Sequence, residues 1–202
     1  MDHLLVLLHG YGDDPDGLAW LADELSEPGR RVLIPPAPLP SPVGGRAWWF
    51  FDPADRPAWA WPGPVPPDYT GHRLVGAARA EVLALIAEHT AEHAGGPVTV
   101  AGFSQGAMLA LDVAVTPGSG VTKVAALSGV MIADTLPNLG TGTRPAALVA
   151  HGVHDDQLPF AAGEGTRDLL AEHGFDVEWL PFAGGHEIPD EVIAALRRFL
   201  AG

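Results

Sequence analysis

Cysteine is absent from all 202 residues. That excludes a disulfide framework, a thiolate nucleophile and any cysteine-ligated metal. Basic side chains are scarce: 11 Lys and Arg stand against 25 Asp and Glu, a net charge of −14 at pH 7. No basic cluster is larger than a pair. A surface of that sign repels phosphate backbones and anionic headgroups, so neither a nucleic-acid partner nor electrostatic membrane attachment is expected. Long hydrophobic runs are missing as well. Leu4–Leu8 is only five residues and follows Asp2 and His3, too short for a signal peptide core or a membrane span. The expectation is a cytoplasmic protein without stable membrane insertion. With 47% hydrophobic and 18% charged residues, the chain has the composition of one globular domain over residues 1–202.

Short apolar runs alternate with helical patterns, the signature of a mostly parallel sheet flanked by helices. The runs predict strands at Leu4–Leu8, Val32–Ile34, Val98–Ala101, Val124–Leu127, Ala147–Ala150 and Val177–Leu180. Asp14 and Pro15 open a predicted helix that reaches Leu25. A helical stripe from Leu74 to Ile86 ends before Gly95-Gly96-Pro97, and further helices are expected at Gln105–Val115, Phe160–His173 and Asp190–Leu200. Eleven of the 20 prolines and four of the six tryptophans fall between residues 35 and 67. Aromatic residues in so long a loop suit a pocket wall or lid better than a solvated linker. Pro35-Pro-Ala-Pro38 fits a P-x-x-P pattern but directly follows a strand, so it reads as a rigid connection.

Serine is rare, with five in the chain, yet one stands in Gly102-Phe-Ser-Gln-Gly106. About 0.08 matches to G-x-S-x-G would arise by chance in this composition, so the match needs partners before it carries weight. Ser104 lies between a predicted strand and a predicted helix, the setting of a nucleophile raised on a sharp turn. A serine hydroxyl needs a base. His186, in the glycine-rich loop before the last helix, leaves the C-terminal edge of the sheet, where ligands collect in such folds. The acid that would orient it follows the strand at 147–150. Asp155 and Asp156 both qualify there, with Asp134 a distant third, and spacing does not choose between them. Oxyanion donors are expected from the Gln105 amide and from His9-Gly-Tyr-Gly-Asp13, with Tyr11 preferred and Gly12 second. His89 and His93 match H-x-x-E-H but have no third ligand nearby, so a zinc site is not expected there. The cluster His151, His154, Asp155 and Asp156 is a weaker candidate for metal than for a triad.

Five blocks together resemble the phospholipase/carboxylesterase family of α/β hydrolases, which includes acyl-protein thioesterases. They are Leu8–Asp14, Gly45–Asp52, Gly102–Met108, His151–Pro159 and Gly185–Pro189, and they span nearly the whole chain. The resemblance implies an α/β-hydrolase fold, compact and without a separate lid domain. It implies Ser104, His186 and Asp155 as catalytic residues, choosing Asp155 over Asp156 as the aspartate of His-Gly-x-x-Asp. It implies backbone oxyanion donors at Tyr11 and Gln105, and neither cofactor nor metal. The expected function is a serine hydrolase cleaving carboxylic esters, with lysophospholipids and thioesters as variants. Trp48, Trp49 and Phe50 are expected to wall the pocket, which makes the partner a small ester with an apolar acyl or aryl group. The alternatives are a dienelactone-type small-ester hydrolase and a hydrolase-fold binding protein without turnover. A homodimer is compatible with the sequence, though nothing in it marks an interface. Tyr11, where the family more often has an aliphatic residue, and the Pro53–Pro67 stretch depart from its pattern and bear on substrate size.

Overall fold

The computed structural model describes residues 2–50, 72–92 and 95–202. The Pro/Trp-rich stretch at 53–67, expected to wall or cover the pocket, and His93 lie outside the described residues.

In chain order the strands are β1 (His3–Leu8), β2 (Arg30–Leu33), β3 (Leu39–Pro40), β4 (Arg46–Ala47), β5 (Val98–Phe103), β6 (Lys123–Leu127), β7 (Ala146–Gly152) and β8 (Val177–Phe182). The helices are α1 (Ala19–Leu25), α2 (His72–Glu92), α3 (Gln105–Val115), α4 (Phe160–Glu172) and α5 (Asp190–Ala201). Six strands form one sheet in the order β2-β1-β5-β6-β7-β8, every pairing parallel. All six predicted strands are present. The predicted helix from Asp14 begins instead as a 3-10 turn at Pro15–Leu18, with the Asp14 carboxylate accepting the Asp16 amide at 3.0 Å. The antiparallel pair β3 and β4 and a 3-10 turn at Ala133–Asn138 were not predicted.

Strand alternation divides the core into two layers. Leu4, Val6 and Leu8 of β1 join Val98 and Val100 of β5 beneath α2, α3 and α4. Leu5 and Leu7 point the other way, with Ala101, Leu127 and Leu148, toward α1 and α5. Each buried aliphatic side chain of this kind contributes about 1.5–3 kcal/mol, which is why the apolar runs could be read as strands covered on both faces. All eleven residues of α3 are buried, so it is the central helix of its layer.

The sheet winds outward from β1 in both directions. The connection after β1 enters α1 on one face, and the turn after β5 enters α3 on the other. That divergence makes the C-terminal ends of β1 and β5 the switch point of the sheet, where open α/β folds have the crevice that binds ligands.

One ion pair ties α2 to α3. Arg79 Nε and Nη2 donate to the two oxygens of Asp112 at 2.6 and 3.0 Å, and Thr135 Oγ1 adds a third donor at 3.1 Å. Asp112 is fully buried, and that burial pushes its carboxyl up despite Arg79 and Thr135. Arg79→Met would leave the charge without its cation, which costs on the order of 3 kcal/mol. Urea unfolding should show that loss, and Asp112→Asn in the same background should restore at least half of it. Equal losses in the single and double variants would mean that helix packing, not the charge, is at stake.

Candidate active site

At the end of β5 the chain must reverse into α3 within one residue. Ser104 makes the turn at φ 55° and ψ −119°, a region that side chains avoid. Glycines make the reversal possible. A Cβ on Gly102 would lie 2.2 Å from the Gly106 carbonyl, and one on Gly106 would lie 2.0 Å from Leu8 O. A Cβ on Gly129 would meet Ala107 Cβ at 2.3 Å. The Ser104 amide is pinned by Leu127 O at 3.0 Å, and Ser104 O accepts the Ala107 and Met108 amides. Ser104 makes no side-chain cap bond to α3, so its hydroxyl is not spent on the start of the helix.

The loop after β1 lies against this turn. A Cβ on Gly10 would sit 3.4 Å from Ser104 Cβ, which brings the start of the His9–Asp13 loop against the turn. His9 fixes the loop. Its Nδ1–H donates to Gly10 O at 2.9 Å, and its Nε2 accepts the Ala37 amide at 3.1 Å. Those two bonds require the neutral Nδ1–H tautomer, and burial holds the imidazole below its ordinary value although the Gly10 carbonyl pulls it up. Pro35–Pro38 thus has a structural task, since Ala37 and Pro38 also offer their carbonyls to Arg46. Gly12 N–H donates to Arg46 O at 2.8 Å, so that amide is engaged away from the crevice. The Gln105 amide is the first of α3, one of those with no acceptor inside the helix.

Trp48 and Trp49 are buried, whereas Phe50 is 43% exposed. The Trp48 ring lies tilted against His9 at 5.4 Å between centroids, and its Nε1–H donates to His9 O at 2.9 Å. The buried Gln105 side chain clamps this segment from the other side. Its Oε1 accepts the Trp48 amide at 3.0 Å, and its Nε2 donates to Trp49 O at 2.8 Å. Sequence reasoning used only the Gln105 backbone and saw no role for His9. Both make buried side-chain bonds to residues more than 25 positions away, and no local pattern announces such bonds.

The third loop follows β8. His186 Nδ1–H donates to Asp155 Oδ2 at 2.8 Å, with the Asp155 side chain fully buried and that of His186 nearly so. Asp155, not Asp156 or Asp134, is the carboxylate that His186 meets. Phe103, the residue before Ser104, lies 4.8 Å from the His186 ring, so the base candidate stands beside the turn. The 152–155 and 184–185 backbones run close together, with the Val153 and His154 amides donating to Phe182 O and Gly184 O. Gly152 is required there, since a Cβ would lie 2.2 Å from Gly185 O. Burial alone would raise the Asp155 carboxyl, but the Leu158 amide, His186 and the Gln157 amide together hold it below the usual carboxylate range. Among the described residues no group of three or more His, Cys, Asp or Glu is placed to hold a metal ion, and no helix is long and apolar enough to cross a membrane.

The model of the phospholipase/carboxylesterase family matches residues 1–202. Among solved structures, esterase PE8 is 26% identical with a TM-score of 0.80, covering 99% of this chain and 92% of that one. A carboxylesterase from Mesorhizobium loti is 25% identical, TM-score 0.76, covering 99% and 88%. Acyl-protein thioesterase 2 from Zea mays, at 22% identity, TM-score 0.73 and 99% and 93% coverage, shares the fold. No curated protein sequence matches the chain.

Two predictions follow from the geometry. The strain at Ser104 is of order 1–3 kcal/mol, and a glycine would relieve it where an alanine would not. Ser104→Gly should therefore be about 1 kcal/mol more stable than Ser104→Ala, after the entropy glycine adds to the unfolded chain. Equal stabilities would show that the turn is unstrained. Asp155, depressed in the folded state, stabilises the protein above the ordinary carboxylate pKa, and that contribution disappears as pH falls through the depressed value. Asp155→Asn should accordingly flatten the fall of Tm with acid below about pH 4, and an unchanged slope would count against the depression.

Proposed function

For a chain that belongs to the phospholipase/carboxylesterase family, we propose a cytoplasmic serine esterase that hydrolyses carboxylic esters through Ser104, His186 and Asp155. The observation that carries this is the 2.8 Å bond from His186 Nδ1–H to the buried, ionised Asp155, beside a serine on a strained turn. A carboxylate accepting at Nδ1 leaves the His186 Nε2 lone pair free to take a proton.

In this mechanism Ser104 Oγ attacks the ester carbonyl carbon as its proton passes to His186 Nε2. The carbonyl oxygen becomes an oxyanion held by the amides of Gln105 and Tyr11; one such donor is worth roughly 3–4 kcal/mol of barrier. Gly12 is set aside because its amide is already engaged with Arg46 O. His186 then gives its proton to the leaving alcohol as the C–O bond breaks, leaving the acyl group on Ser104. Water enters, loses a proton to His186 and attacks the acyl carbon. Ser104 departs with the proton returned. Asp155 stays ionised throughout and stabilises the imidazolium formed in each half.

The substrate class is an ester with an apolar acyl or aryl group. Trp48 and Trp49 support this, since Gln105 couples the segment that carries them to the proposed oxyanion donor. Thioesters and lysophospholipids present the same acyl carbonyl and belong in the same test.

The experiment is hydrolysis of p-nitrophenyl esters from acetate to palmitate, with EDTA present, and labelling by a fluorophosphonate probe. Wild type should hydrolyse at least one ester and take up one label per chain. Ser104→Ala should take none and lose at least 10³-fold in kcat, in line with loss of a triad nucleophile. A wild type that neither labels nor cleaves esters, thioesters or lysophospholipids would sink the proposal, and so would an active Ser104→Ala.

A further inference from the structure

His151 ends β7 in full burial, and the mechanism above gives it nothing to do. Its surroundings are specific. The ring lies against Gly163 of α4, where a Cβ would come within 2.7 Å of His151 Cγ and Nδ1. Phe160 closes another side edge-on at 6.2 Å. The Nε2–H donates to Leu158 O at 3.0 Å, so the proton of the neutral ring is on Nε2. Nδ1 is buried and has no hydrogen-bond partner among the described residues. A leucine of similar bulk would fill the site without an orphaned Nδ1 but would leave the buried Leu158 O without its donor, so the ring N–H, and not packing alone, accounts for an imidazole here.

What the imidazole does is reach the 155–158 turn. Leu158, whose carbonyl takes the His151 proton, gives its own N–H to Asp155 Oδ1 at 2.8 Å, next to the Gln157 amide at 2.9 Å. His151 Nε2 also stands 3.4 Å from Asp155 Oδ2, the oxygen that receives His186. One ring therefore anchors the far end of the turn and lays its N–H beside the carboxylate oxygen used at the site.

We propose that His151 is the positioning residue for Asp155: by holding Leu158, it fixes the carboxylate in the one orientation that receives His186. This role rests on the reading of Asp155 as the acid of a serine esterase. It acts on the chemical step and not on substrate binding, because His151 is sealed from the crevice.

The test compares wild type, His151→Leu, His151→Gln, Asp155→Asn and the His151→Leu/Asp155→Asn double variant on the best p-nitrophenyl ester. Active sites are titrated with a fluorophosphonate, so that misfolded protein is not counted. His151→Leu should lower kcat per titrated site tenfold or more, with KM within threefold of wild type. His151→Gln, whose amide N–H can reach Leu158 O, should recover most of that loss. In the Asp155→Asn background, His151→Leu should cost nothing further, since it acts through the group already removed. Independent losses that multiply in the double variant would overturn the role, as would a His151→Leu kcat within twofold of wild type. Should the leucine variant not fold, His151→Asn replaces it: too short to reach Leu158 O, it should fall well below His151→Gln, and equal kcat values would overturn the role. An inert wild type would overturn the esterase reading and this role with it; an active wild type with indifferent His151 variants overturns this role alone.

Discussion

The backbone at Ser104 sits at φ 55° and ψ −119° because three glycines let three pieces of main chain approach within distances that no side chain permits. Gly102 gives way to the returning helix, Gly106 to the end of β1, and Gly129 to the first turn of α3. The strain cannot relax locally, since the Ser104 amide is bonded to β6 and its carbonyl to α3. The rest of the site follows from that constraint. Holding α3 against the end of β1 puts the first turn of α3 beside the start of the His9–Asp13 loop, so two strands that are neighbours in the sheet supply the turn and the loop that lies against it. A residue in this conformation costs roughly 1–3 kcal/mol, and the buried core on both faces of the sheet is what makes that cost tolerable.

Charge is distributed around this turn with some economy. His9 is kept neutral by burial and by two hydrogen bonds that demand a single tautomer. His151 is held in the opposite tautomer by a carbonyl. Asp155 is kept ionised by amides and by His186. Asp112, a buried acid on α3, is paired with the Arg79 guanidinium from α2, so it braces the helix behind the turn. His186 hydrogen-bonds a carboxylate directly, at 2.8 Å, whereas His9 and His151 give their ring N–H to backbone carbonyls, and a carboxylate is what stabilises the protonated form a base must pass through.

Much of this was legible in the chain because burial on both faces leaves a strong trace. Leu4–Leu8 and Ala147–Ala150 are uninterrupted apolar runs, and G-x-S-x-G sits between a strand and a helix as the turn requires. The strand ends were less legible. The residues that extend β5 to Phe103 and β7 to Gly152 belong to the site loops and carry no apolar pattern. The pair β3 and β4 is two residues long on each side and contains Pro40, so it has neither periodicity nor β propensity to announce it. It exists because Arg46 bridges Asp13 and Gly12 in the loop after β1. The side-chain tasks of His9 and Gln105 were hidden for the same reason: their partners are distant in sequence, and only the folded chain brings them together.

The pairing of His186 with Asp155 and not with its neighbour can be derived from the loop itself. Both aspartates follow β7, and composition treats them alike. Val153 and His154 bond to the β8 loop through Phe182 O and Gly184 O, which fixes the direction of the chain two residues before Asp155. Asp155 Oδ1 is then taken by the Gln157 and Leu158 amides, a turn in which a side chain caps the backbone two and three residues on. That arrangement consumes one oxygen and leaves Oδ2 aimed at the approaching 184–187 loop. Asp156, one residue later, is exposed. The bonds by which Asp155 caps the backbone before α4 are therefore the same bonds that orient its carboxylate toward His186.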